Sequence, residues 1–311
     1  YTDSESVTTN ITYTKLTNED KDVEVKLNGN KVLGIEVDGK PVPSGSYGVD
    51  GNVIIIKGTY LDTLTKGDHY AAVSYKPMGE EYVAAAGNDE PKETNFNISV
   101  KVAQLKVEDF VYTAPTDLVY DGTGKFAEVI SKATGIGDIT VTYYNADGKQ
   151  VLEPTTVGTY TVKVNVTEGS NYAAVSNMEV GTFAITPKTI TITGVEATDR
   201  LYDGSAVVAI TGGTLEGIVG KDNVTAKVPG TGVAADANVA TSIEVTLSEI
   251  TLEGKDAYNY KLTQPTGITV DITPATLSVS VENVTINKGQ AIPELTVNVT
   301  GFAKGESTAI E

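Results

Sequence analysis

Short stretches of alternating apolar and polar residues run along this 311-residue chain. Val23, Val25 and Leu27 recur at every second position, as do Ile139, Val141 and Tyr143, and Tyr160, Val162, Val164 and Val166. Successive side chains of an extended strand point to opposite faces, so this period predicts half-buried antiparallel strands with one face on a core. The unbroken run Val53-Ile54-Ile55-Ile56 reads as a strand interior. Between the strands, Asn28-Gly29, Asp38-Gly39, Asp50-Gly51, Asp121-Gly122, Asp147-Gly148 and Asp203-Gly204 supply the positive-φ residues that tight hairpin turns require. No long segment carries a helical stripe, and the best helical candidate is a single turn at Thr59-Tyr60-Leu61-Asp62-Thr63-Leu64. Many short strands punctuated by turns predict an all-β chain: tandem immunoglobulin-like β-sandwiches in an elongated array.

A three-part signature appears twice in the same order. Leu118-Val119-Tyr120-Asp121-Gly122 is followed by Asn171-Tyr172 and Ile185-Thr186-Pro187; Arg200-Leu201-Tyr202-Asp203-Gly204 is followed by Asn259-Tyr260 and Ile272-Thr273-Pro274. A spacing of roughly 85 residues makes the repeating unit a small domain rather than a solenoid coil. Around Pro187 and Pro274 one strand pattern ends and the next begins at once; proline removes a ladder donor and fixes φ, so it closes one sheet while leaving almost no linker. These junctions set the expected modules at residues 1–102, 103–187, 188–274 and 275–311. The last segment is too short for a sandwich core of its own and reads as a partial fourth repeat.

Composition narrows the functions. The chain has no cysteine, so no disulfide framework, thiolate nucleophile or Cys-based zinc site exists. A net charge of −18 with one arginine, Arg200, argues against nucleic acid, whose binding needs clustered cations, and no apolar run is long enough to insert into a membrane as a helix. The acidic surface is expected to keep an extracellular array soluble. No D-x-[DN]-x-[DN]-G calcium loop occurs, and no cofactor is expected.

Catalytic chemistry finds little support. His69 is the single histidine, so no second one exists to complete a metal site. The acid pairs Glu80-Glu81 and Asp89-Glu90 are candidates for glycosidase chemistry by residue type alone and sit in Gly-flanked loops. For sugar stacking, Trp is absent and Phe numbers 5, so the 16 tyrosines must serve. Tyr47, Tyr70, Tyr82 and Tyr144 are the candidates; Tyr144 should face outward beside Thr140 and Thr142 if Tyr143 faces the core. The Tyr-Asp-Gly elements, Tyr120, Asp121, Gly122 and Tyr202, Asp203, Gly204, read as structural turns in which Tyr packs on a sandwich end, Asp accepts backbone N–H groups and Gly supplies the unusual φ. Tyr160, in Gly158-Thr159-Tyr160, is similar to the tyrosine corner that anchors a loop in immunoglobulin-like folds. The six Asn-x-Ser/Thr sequons, at Asn10, Asn97, Asn165, Asn223, Asn283 and Asn298, read as chance products of Thr-rich strands.

Residues 22–75 resemble the X2 module, an immunoglobulin-like domain of cellulosomal scaffoldins and bacterial glycoside hydrolases. The matching text is Val25-Lys26-Leu27-Asn28-Gly29-Asn30, Gly34-Ile35, Gly45 to Ile55 and Tyr60-Leu61-Asp62-Thr63-Leu64. The family's usual Asp-Tyr pair is Ser46-Tyr47 here, so a role tied to that Asp does not carry over. Residues 103–187 look like the bacterial MBG repeat. Residues 188–274 are similar to the YDG repeat through Tyr202-Asp203-Gly204, Leu252-Glu253-Gly254, Asp256-Ala257, Asn259-Tyr260 and the closing Ile272-Thr273-Pro274, and Gly301-Phe302-Ala303-Lys304-Gly305-Glu306 looks like the start of another MBG repeat. These resemblances imply a non-catalytic spacer or adhesive stalk region of a secreted or surface-attached bacterial protein. The alternative they imply is a carbohydrate-binding accessory region of a glycoside hydrolase or cellulosome-like assembly. Expected partners are a polysaccharide or cell-wall glycan, or a host or bacterial surface protein.

Overall fold

The computed structural model describes residues 2–77 and 92–307. It divides into two compact units: Tyr1–Pro115, Phe126–Glu153 and Tyr160–Phe183 form the first, and Thr116–Lys125, Pro154–Thr159 and Ala184–Glu311 the second.

The first unit opens with nine strands, β1 (Glu5–Ser6), β2 (Asn10–Thr14), β3 (Lys21–Lys26), β4 (Asn30–Val37), β5 (Lys40–Pro41), β6 (Tyr47–Asp50), β7 (Val53–Ile56), β8 (Gly67–Pro77) and β9 (Thr94–Lys101). They form two sheets, β1-β3-β7-β6 and β2-β9-β8-β4-β5. This is the immunoglobulin arrangement, ABED on one side and A′GFCC′ on the other. The pair β2–β9 is parallel, Asn10 opposite Asn97 through Thr14 opposite Lys101, whereas β8 runs antiparallel to both β4 and β9. Val23, Val25, Ile54 and Ile56 from one sheet and Tyr13, Ile35, Val73, Ile98 and Val100 from the other share one buried core. A one-residue slip of any strand would turn its apolar set to solvent, so the alternation read from sequence also sets the register.

One helical turn, Gly58–Leu61, plugs this core with the fully buried Leu61. It lies so close to the loop before β3 that a Cβ on Gly58 would sit 2.3 Å from the Asn18 carbonyl carbon, which explains a glycine at this point. Lys15 is buried, and its ammonium donates to the carbonyls of Asp62 (2.7 Å) and Leu64 (2.8 Å), which the helical turn leaves without partners.

Three of the Asp-Gly pairs make hairpins. Asp38 and Gly39 (φ +51° and +73°) join β4 to β5, Asp50-Gly51 joins β6 to β7, and Asp147-Gly148 joins Ile139–Tyr144 to Gln150–Val151. Asn28-Gly29 departs from the expected pattern. Both residues have positive φ and the turn is tight, yet β3 and β4 belong to opposite sheets. The two edges of β3 are already paired with β1 and β7, so the chain must cross over.

A second core of the first unit is built from Leu105, Phe110, Val164 and Val166. Phe110–Thr113 pairs with Glu128–Ser131, and a four-stranded sheet runs in the order Gln150–Val151, Ile139–Tyr144, Gly158–Val166, Val175–Ile185. Tyr143 and Tyr160 are buried, and both rings pack on Phe183, Tyr143 edge-on at 6.1 Å and Tyr160 stacked at 5.5 Å between centroids.

The second unit carries one seven-stranded sheet, Arg200–Leu201, Thr269–Thr273, Ala240–Thr246, Thr231–Ala234, Val207–Glu216, Lys188–Ala197 and Tyr260–Thr263 in order. Its long strand Lys188–Ala197 changes partner along its length, parallel to Tyr260–Thr263 through residue 191 and antiparallel to Val207–Glu216 from there on. Gly194, Gly212 and Gly213, all at positive φ, interrupt this ladder and let the sheet fold over Val208, Ile210, Val270 and Ile272. Thr186 and Pro187 alone separate the strand ending at Ile185 from the one beginning at Lys188. Beyond Pro274, Ser278–Val281 and Val297–Thr300 form an exposed two-stranded ladder.

Replacing Lys15 by Met would leave two carbonyls without their donor in a closed site. The expected loss is about 2 kcal/mol, measurable as a lower thermal midpoint; an unchanged midpoint would mean that water replaces the ammonium.

Candidate functional site

The outward face of the β2-β9-β8-β4-β5 sheet is largely polar, and among the described residues Tyr70 puts an aromatic ring on it. Strand pairing places Thr12, Ser99 and Asp68 in one row, Asn10, Asn97 and Tyr70 in the next, and Asn95, Ala72 and Glu36 in a third. Tyr70 is 52 % exposed, and Asn10, Asn95 and Asn97 are exposed as well. An aromatic face can stack on the C–H face of a sugar, and neighbouring carboxamides can both donate to and accept from its hydroxyls.

The Tyr70 position is held by a charged clamp. Asp38 Oδ1 accepts the Tyr70 backbone N–H at 3.0 Å, and Oδ2 accepts from His69 Nδ1 at 2.6 Å, while His69 Nε2 donates to the Thr65 carbonyl at 2.8 Å. A carboxylate and a carbonyl only accept, so this geometry needs both ring protons, that is, an imidazolium. Burial of the ring opposes the charge, but the hydrogen bonds to Thr65 and Asp38 outweigh it and raise the His69 pKa above its ordinary value. The Asp38 pKa is lowered in turn, first by the His69 hydrogen bond and then by the Tyr70 N–H. His69 is thus taken up in holding β8.

The other candidate tyrosines do not join this face. Tyr47 is half-buried on β6, in the opposite sheet, and packs against the core. Tyr144 faces outward from Ile139–Tyr144, but its hydroxyl donates to Asn177 Oδ1 (3.1 Å) and the Lys163 ammonium lies 4.7 Å over its ring. Tyr82, Glu80-Glu81 and Asp89-Glu90 lie outside the described residues. Sequence reasoning overlooked the asparagines. Asn10-Ile11-Thr12 and Asn97-Ile98-Ser99, read as chance sequons, are the polar halves of two alternating strands that lie side by side. Among the described residues no cluster of three His, Asp or Glu side chains could hold a metal ion. An open groove of about 740 Å³ in the second unit is lined by Asp199, Ser242 and Asp271, but Asp199 accepts the Asp271 N–H and Asp271 the Ser242 N–H.

Both Tyr-Asp-Gly elements form carboxylate-closed turns. Asp121 Oδ1 accepts from the Thr123 N–H (2.8 Å) and hydroxyl (2.6 Å), and Oδ2 from the buried Lys125 ammonium (2.7 Å). Asp203 Oδ1 accepts the Ser205 N–H at 2.9 Å, with the Arg200 guanidinium against the same carboxylate. Gly122 and Gly204 have φ of +78° and +75°. The Asp121 pKa is pushed down chiefly by Lys125 and then by Thr123; that of Asp203 is lowered by the Ser205 N–H first and Arg200 second.

Residues 7–80 match the family model of carbohydrate binding domain X2, and residues 186–268 match that of the YDG domain. No curated protein matches the sequence in a search. Among solved structures, the chain is similar to the tri-modular endo-β-1,4-glucanase B of Bacillus halodurans, with 11 % identity, 56 % of this chain and 34 % of that chain covered, and a TM-score of 0.25. It is also similar to SGBP-B of the Bacteroides ovatus mixed-linkage glucan utilization locus, solved with a mixed-linkage heptasaccharide (12 % identity, 93 % and 76 % covered, TM-score 0.23). A three-Ig segment of titin matches at 10 % identity, with 88 % and 98 % covered and a TM-score of 0.28. The chain spans about a third of the length of the endoglucanase, 34 %.

Two outcomes follow from the clamps. Because the folded His69 pKa is raised, its contribution to stability is full below the ordinary value of 6.5 and is lost as pH rises through the folded pKa. A proton NMR titration of this single histidine should give a midpoint above 6.5, and Asp38→Asn should lower it; a midpoint at or below 6.5 would mean that the clamp is open in solution. Asp121→Ala strands a buried lysine, so it should cost about 2 kcal/mol in chemical denaturation, with Asp121→Ala/Lys125→Met recovering most of the loss.

Proposed function

We propose that this chain is a non-catalytic, extracellular region of a bacterial protein whose first module holds a polysaccharide, with the following repeats acting as a spacer. The observation that carries the reading is the outer face of the five-stranded sheet, where Tyr70 stands exposed among Asn10, Asn95 and Asn97. The match of residues 7–80 to carbohydrate binding domain X2 supports it. Tyr70 stacks on a pyranose ring, the asparagine carboxamides bond its equatorial hydroxyls, and Asp68 and Glu36 at the margin disfavour anionic polymers. A neutral β-linked glucan fits such a face better than an acidic wall polymer. The spacer half of the reading rests on the two-residue Thr186-Pro187 junction and on the net charge of −18, which suits a solvated surface array. Adhesion to a host or bacterial surface protein is the competing use of the same array.

Pull-down of the whole chain on insoluble cellulose, mixed-linkage glucan and peptidoglycan tests the proposal. Retention on a neutral glucan should fall about tenfold in Tyr70→Ala and stay unchanged in Tyr144→Ala. Equal retention of wild type and Tyr70→Ala would move the site elsewhere, and absence from every polymer would leave the spacer alone.

A further inference from the structure

The tyrosines of the two Tyr-Asp-Gly turns use their hydroxyls in the same way, far along the chain. Tyr120 donates to Asp222 Oδ2 at 2.7 Å, 102 residues on, and Tyr202 donates to Glu306 Oε1 at 2.6 Å, 104 residues on. The two acceptors close turns of matching sequence, Gly217-Ile218-Val219-Gly220-Lys221-Asp222 and Gly301-Phe302-Ala303-Lys304-Gly305-Glu306. Gly217 and Gly301 open them at φ of +96° and +101°. The third residue of each lies over the glycine of a Tyr-Asp-Gly turn: a Cβ built on Gly122 would meet Val219 Cγ1 at 2.9 Å, and one on Gly204 would meet the Ala303 Cβ at 3.4 Å. All of these residues belong to the second unit.

We propose that the Tyr-Asp-Gly turn is a repeat-to-repeat latch whose partner is the Gly-x-[Val/Ala]-x-x-[Asp/Glu] turn of the next repeat. The tyrosine hydroxyl takes the partner's carboxylate, and the bare glycine takes its small apolar residue. The Asp of Tyr-Asp-Gly stays within its own turn and holds it open for the partner. In the first latch the contact is extended. The Tyr120 ring meets Tyr260 edge-on at 5.4 Å, Tyr260 donates to the same Asp222 carboxylate, and its hydroxyl oxygen accepts the Val219 N–H at 2.9 Å. Asn259, buried beside it, accepts the Val157 N–H at 2.9 Å, so the Asn-Tyr part of the signature serves the same joint. Burial and the shared carboxylate hold the Tyr260 hydroxyl in its protonated, donating form, with its pKa pushed up to about 12.

The second latch shows what the device does on its own. The strands Ser278–Val281 and Val297–Thr300 are largely exposed and bury no core, yet Ala303 is only 9 % exposed. Its place against Gly204, beside the Tyr202–Glu306 bond, accounts for that burial. A hydroxyl donating to a carboxylate is a charge-assisted bond, stronger and more directional than a neutral one.

Hydrogen–deuterium exchange on the whole chain tests this. In Tyr202→Phe and in Glu306→Ala, which removes the acceptor, amides of residues 301–306 should exchange about fivefold faster, and the double variant should be no faster than either single one, because all three break one bond. Tyr120→Phe should speed exchange at residues 217–222 by about tenfold while residues 301–306 stay unchanged. Circular dichroism checks that each variant folds; the exposed Tyr202–Glu306 pair keeps the test valid if the buried Tyr120 variant does not. Unchanged exchange in Tyr202→Phe, or additive effects in the double variant, would overturn the latch.

Discussion

A carboxylate that accepts backbone N–H groups recurs across the fold, in its turns and at one strand bulge, and the local backbone depends on it. Asp38 holds Tyr70, Asp62 holds Leu16, Asp121 holds Thr123, Asp203 holds Ser205, Asp256 holds Asn223 and Asp271 holds Ser242. A chain without cysteine has no disulfide to fix its turns, and beyond the first module the cores bury only a handful of apolar side chains each. Charge-assisted bonds to backbone do this work locally. The acidic composition is therefore partly structural, and solubility is only one of its consequences.

The same logic links the core of the first module to its surface. Period two puts Tyr13, Ile98, Ala71 and Val73 inside and leaves Thr12, Asn97, Tyr70 and Ala72 facing out. The Asp38–His69 pair then ties β8 to the β4–β5 turn at Tyr70. On the proposed reading of this face, a ring held in place requires little rearrangement to receive a polymer, which lowers the ordering cost of binding.

How much of this could be read in advance differs by residue. Tyr-Asp-Gly was legible as a turn, because a positive-φ glycine after an aspartate has a local mechanism. The destination of its tyrosine hydroxyl was not, because Asp222 and Glu306 lie about a hundred residues away and no local rule relates them. A clue lay outside the three-part signature, where Gly217 to Asp222 and Gly301 to Glu306 share a pattern that becomes meaningful once Val219 and Ala303 are seen over the glycines. Tyr70 and Tyr144 were both candidates for sugar stacking. Lys163 and Asn177, brought against Tyr144 by strand pairing, set them apart.

The sequence by itself determined the all-β class, the alternating strands and three of the Asp-Gly hairpins, because alternation and turn chemistry act over neighbouring residues. Tertiary structure alone decided that Asn28-Gly29 crosses between sheets, that Lys188–Ala197 serves two partners, that three asparagines share a face with Tyr70, and that Tyr120 meets Asp222 and Tyr202 meets Glu306. Each of these depends on which strand edges remain free after the cores close, and that is a property of the whole fold.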